Sequence, residues 1–131
     1  MPAFDPSLVA FFDLVLDKID EHERYGPAVR RAAEDGRALA LNYHTHGPEQ
    51  PYCASVCALD GETLDLGGVL RVGGELEELA HIRGVGPNER ECGVRMAVFA
   101  SLLRARYRLQ RDPEIYLDGR PWSPGAEDTT A

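Results

Sequence analysis

Long apolar runs, lysine and tryptophan are what this 131-residue sequence has least of. No stretch approaches the ~20 consecutive apolar residues that a bilayer crossing requires, which excludes a membrane-spanning helix. The N-terminal MPAFDPSLVAFFDLVLDKID has no basic start, and acids interrupt its apolar part, so it does not read as a secretory leader. The expected location is cytoplasmic. Cysteine is also sparse: three residues, an odd number, do not make a disulfide framework. Positive charge is short as well, and the net charge of −8 disfavours a nucleic-acid or anionic-membrane partner, because phosphate contacts need a basic surface.

What is there suits a globular protein, with 44% apolar and 27% charged residues. We expect one globular α+β domain over residues 1–122 and a flexible C-terminal tail over 123–131. The first helix is marked by Asp5 as a cap, Pro6 at the first helical position, and Leu8, Phe11, Phe12, Val15 and Ile19 at helical spacing. It should stop near Tyr25-Gly26. A second, PAVRRAAED, should end at Gly36.

The period then changes to that of strands. RALALNYHTH, QPYCASVCAL and ETLDLGGVLRV alternate, with GPEQ and Asp60-Gly61 as the intervening turns. A short helix, ELEELAHIR, and a long one, GVGPNERECGVRMAVFASLLRARYRLQ, should follow. Val94, Val98, Phe99, Leu102, Leu103 and Ala105 are the expected buried stripe of the long helix. EIYLDGRPW reads as a last strand with an Asp118-Gly119 turn. The expected fold is therefore an antiparallel three- to four-stranded sheet. Two long helices would pack on one face, with short helices at its ends.

The stretch NYHTHGPEQPYCASVC holds two of the four histidines and two of the three cysteines. Imidazole and thiolate are zinc ligands, so zinc is the cofactor to weigh. If the hairpin turns at Pro48-Glu49, His44 faces Cys53, His46 faces Pro51 and Cys57 faces Ala40. Cys53 and Cys57 would then stand roughly 13 Å apart, at ~3.3 Å per residue of strand, too far for one ion. His44, His46 and Cys53 form the set that can converge, with a fourth ligand coming from elsewhere. The simpler account has both histidines as polar groups near a hairpin tip and both cysteines as small buried residues. A nucleophilic Cys53 paired with His44 has no accompanying cysteine-enzyme signature.

Other constellations have structural explanations. Arg104, Arg106, Arg108 and Arg111 cluster where a helix dipole favours cations, or where they can pair with the acidic first helix. His22 and His81 read as surface residues. No phosphate loop or HExxH motif occurs. A strand meander, a helix opening N-E-R-E and a strand ending in Asp118 follow an order similar to that of ribonuclease-H-like nucleases, in which acids hold two magnesium ions. That resemblance implies Glu91 and Asp118 as metal ligands. The first-strand position, in Asn42–His46, carries no acid, two helices precede the meander, and the resemblance covers about half the chain. Helix-dipole and turn roles also account for Glu89, Glu91 and Asp118.

Leu39, Leu41, Tyr43, Tyr52, Ala54 and Val56 supply one apolar sheet face. Ala40, Cys53, Ser55, Cys57 and Leu59 leave the opposite face only moderately polar. A face of that kind invites a cover. The leading expectation is a small soluble non-catalytic interaction or assembly module that self-associates as a homodimer. The alternative is a metal- or ligand-binding protein or enzyme using His44, His46 and Cys53.

Overall fold

The computed structural model describes residues 4–44, 52–60, 75–86 and 92–121. In chain order these form α1 (Pro6–Glu21), α2 (Tyr25–Glu34), β1 (Leu39–His44), β2 (Tyr52–Asp60) and β3 (Glu75–Gly86). Then come α3 (Cys92–Tyr107), β4 (Glu114–Leu117) and β5 (Arg120–Pro121). The sheet order is β3-β2-β1-β4-β5. The β1–β2, β2–β3 and β4–β5 pairs are antiparallel, and β1–β4 is parallel. The fold is α+β with a mixed five-stranded sheet, not the purely antiparallel three- or four-stranded one expected. A strand that returns through a crossover helix, here α3, can lie parallel to an earlier strand, whereas a tight hairpin cannot.

A second correction concerns ELEELAHIR, expected as a helix, which is the first part of β3. Leu76, Leu79 and Ile82 have helical spacing, but pairing along the whole of β2 overrides that local preference. The expected strand over 62–72 lies outside the described residues, as do the GPEQ turn, Gly61 and the tail. The long helix is also shorter than expected, because residues 84–86 belong to β3.

Local signals explain the ends of the first two helices. Asp5 Oδ1 accepts from the Ser7 N–H at 2.8 Å, and Pro6 opens α1. His22, expected on the surface, is half-buried. Its Nδ1 accepts from the N–H groups of Arg24 (3.1 Å) and Tyr25 (3.2 Å), satisfying donors at the start of α2. Gly36, at φ +74°, ends α2 in the left-handed conformation, with Gly36 and Arg37 N–H groups returning to Ala33 and Ala32 carbonyls.

All three helices contribute to one core with the first face of the sheet, where Phe12, Leu16, Val29, Leu41, Tyr43 and Phe99 are buried. Phe12 stacks on Phe99 with ring centroids 4.9 Å apart. The expected stripes are buried at Phe12, Val15 and Ile19 of α1 and at Val98, Phe99 and Leu103 of α3, and differ at their edges. In α1, Leu16 is buried while Phe11 is 37% exposed; in α3, Met96 and Ala100 are buried while Val94 is 62% exposed and Ala105 faces out. Polar contacts fix the helices to one another. Asp20 Oδ1 accepts from Arg30 Nη1 (2.6 Å) and from the Tyr107 hydroxyl (3.1 Å), and Arg106 meets Asp17 at 2.8 Å. The acidic first helix and the arginine-rich end of α3 therefore meet within the chain. At the end of β3, Gly86 leaves room for the buried Tyr43 ring, since a Cβ there would run into the Tyr43 hydroxyl.

The second face of the sheet holds a smaller cluster of Ala40, Cys57, Leu59 and Tyr116, to which no described helix contributes. Cys53 and Ser55 on that face are 4% and 0% exposed. Ala40, Cys57 and Leu59 on that face are buried as well.

Candidate metal centre

The site lies on the second face and is built from three adjacent strands. His44 ends β1 and is in register with Cys53 of β2. Alternation along β1 places His44 on the same face as Ala40 and Asn42. Ser55, in register with Asn42, sits in the middle of β2, diagonally across from His44.

Strand β3 supplies the rest through an irregularity. Val56 pairs with Ala80 and Cys57 with Glu78, so Leu79 is an extra residue. Residues three apart point to opposite faces of a regular strand. The bulge at Leu79 resets that parity, and Glu78 and His81 emerge on the same side, opposite Cys57 and Ser55.

These side chains converge on the Ser55 hydroxyl. His44 Nε2 lies 2.8 Å and His81 Nδ1 3.2 Å from Ser55 Oγ, which donates to Glu78 Oε2. His81 Nδ1 is also 3.2 Å from Glu78 Oε2. One ligand atom each from His44, Glu78 and His81 lies within 4.8 Å of the other two. The exposure is graded: Ser55 is completely buried, the His81 side chain is 29% exposed and the Glu78 side chain 52%.

The electrostatics follow the geometry. Burial pushes the Glu78 carboxyl up, but hydrogen bonds from Ser55 and His81 and the charges of His81 and His44 outweigh it and hold Glu78 below the usual carboxylate range. Glu78 is accordingly a carboxylate at neutral pH, as a ligand must be. Burial, with the Glu78 charge second, pushes the Cys57 thiol up to about 12, so Cys57 is neither a ready thiolate nor a nucleophile.

Of the set expected from sequence, His44 is in this cluster. Cys53 is not among the gathered ligands, and His46 lies outside the described residues. Glu78 and His81 were missed, because a helical reading of 75–83 separates them from β2. A strand reading would have made their pairing with β2 conceivable, but the register rests on two irregularities that have no sequence signature of their own.

The contacts of His81 are not those of a serine relay. A relay needs the acid and the serine on opposite nitrogens of one imidazole, whereas Glu78 and Ser55 both meet Nδ1 of His81.

Asp118 follows Leu117, the partner of Tyr43 in the parallel β1–β4 pair, and is not among the gathered ligands. Asp118 and Gly119, at φ 50° and 80°, form the two-residue turn between Leu117 and Arg120, as its Asp-Gly sequence implied. Asn42 Oδ1 accepts from the Gly119 N–H at 2.9 Å, so the first-strand amide serves this turn. Glu89 and Glu91 lie outside the described residues. Arg104 binds Asp112 and the Leu109 and Gln110 carbonyls beyond the end of α3. A groove of about 760 Å³, lined by Phe4, Ala97, Ser101, Arg104 and Ile115 among others, runs along α3 and includes none of the cluster's residues. No helix among the described residues is long and apolar enough to cross a membrane.

The chain matches no protein-family model, no curated protein and no solved structure.

Proposed function

We propose that the chain is a divalent transition-metal-binding protein whose ligands are His44, Glu78 and His81. The observation that carries this reading is the convergence of two imidazoles and a carboxylate from β1 and β3 around a buried hydroxyl. Imidazole nitrogen suits zinc, iron, nickel and copper, and two histidines with one carboxylate make a familiar three-ligand set. Ligands at ~2.0–2.2 Å from zinc stand about 3.3–3.6 Å apart in a tetrahedron. The 3.2 Å between His81 Nδ1 and Glu78 Oε2 is close to that spacing, and the His44 nitrogen lies within 4.8 Å of both.

The test is a zinc titration of metal-stripped protein. One ion should bind per chain, and the melting temperature should rise, since a ligand at ~100 times its Kd adds about 2.7 kcal/mol. Absence of binding heat together with an unmoved melting temperature would end the proposal.

Self-association is the second reading, favoured by apolar side chains on the helices. Leu14 on α1 and Val94 on α3 are 60% and 62% exposed, large apolar side chains presented to solvent. A homodimer formed there would show a melting temperature that rises with protein concentration, and a monomer at all concentrations would dismiss it.

A further inference from the structure

We infer that the ion held by His44, Glu78 and His81 keeps an exchangeable position on its solvent side and takes a small oxygen-donor anion there, of the carboxylate or hydroxamate class. This rests on the metal-binding reading above. Three observations lead to it.

The first is the number of ligands. Among the described residues, three side chains gather and neither Cys53 nor Cys57 joins them. Structural zinc sites are closed by four protein ligands, whereas sites with three retain a position for water or another ligand.

The second is the asymmetry of burial. Ser55 forms a floor that is wholly buried, and Ala40 and Cys57 beside it on that face are buried too. Glu78 and His81 reach solvent with 52% and 29% of their side chains exposed. An ion among these groups has protein beneath it and water on the side where Glu78 emerges. Ser55 is a poor candidate for a fourth ligand, because zinc sites draw on thiolate, imidazole and carboxylate rather than a neutral hydroxyl.

The third is charge. Two neutral imidazoles and one carboxylate leave a divalent ion with a residual positive charge, which an anion neutralises. Oxygen anions suit such an ion, and its partly desolvated position strengthens the attraction.

The experiment uses the full chain loaded with cobalt(II), whose visible absorption responds to the number and type of ligands, and acetohydroxamate as the probe. Addition of cobalt should produce protein-dependent visible bands, and acetohydroxamate should then shift them saturably. The cobalt should remain with the protein on gel filtration. Cobalt bands that acetohydroxamate leaves unmoved would overturn the open position while leaving metal binding intact. Removal of the cobalt by the probe would overturn it also, since no ternary complex would then form. No cobalt bands at all would remove both readings.

Discussion

Phe99→Ala is expected to lower the unfolding free energy by about 4 kcal/mol, read as a lower urea midpoint with an unchanged slope. Phe99 is fully buried on α3, and its ring stacks on the equally buried Phe12 of α1 at a centroid distance of 4.9 Å. Truncation removes apolar burial and leaves a cavity that flanking helices cannot fill, a combination that costs about 3–5 kcal/mol for buried phenylalanine. The lost ring pairing falls within that range, since such pairs contribute about 0.5–1.5 kcal/mol beyond their area. Domains of this size have a total stability on the order of 10 kcal/mol, so the variant should fold but with a large part of its margin gone. Val94→Ala on the same helix, 62% exposed, should change stability by no more than about 0.5 kcal/mol. Similar small losses for both would mean that α3 does not pack through Phe99.

The contrast between those two positions shows what the sequence could convey. Valine and phenylalanine both fit an apolar stripe, and only the neighbouring elements decide which side of α3 faces inward. Signals that act within a few residues were legible: Asp5 and Pro6 at the start of α1, Gly36 after α2, and the Asp118-Gly119 turn. The β1–β2 register was legible too, with His44 opposite Cys53 and Ala40 opposite Cys57, because alternation leaves a half-buried hairpin little freedom to slip. β3 was not. Glutamate, leucine and alanine are good helix formers, and the segment becomes a strand because β2 offers it a partner. The parallel β1–β4 pair likewise depends on where α3 carries the chain.

The site inherits both outcomes. His44 was legible from the hairpin, whereas Glu78 and His81 required β3 and its extra residue at Leu79. Sequence alone therefore paired His44 with Cys53, its nearest chemically suitable neighbour across the hairpin. The fold keeps that register and also brings His44 to groups from two strands away.

That difference defines the second large effect. His44→Ala should weaken zinc binding by more than about 100-fold, since loss of even a ligand's hydrogen-bonded supporter typically costs 10- to 100-fold. Glu78→Gln should also weaken it strongly. The amide keeps the shape of the side chain and can still accept from Ser55, but it removes the negative charge that opposes the ion. With half of its side chain in solvent, Glu78 can be changed in this way with little effect on folding. Cys53→Ala should leave the zinc affinity unchanged while costing about 1 kcal/mol of stability, as a small truncation at a buried position does. Calorimetric titration of the three variants, with circular dichroism to confirm folding, separates the two ligand sets. If Cys53→Ala lost zinc and Glu78→Gln kept it, the ion would belong to the hairpin thiol. In the expected pattern the affinity also falls as the pH is lowered, because protons compete for both imidazoles and the carboxylate. The ion would then join β1 to the edge strand β3 across β2, and its binding energy would oppose the fraying of that edge.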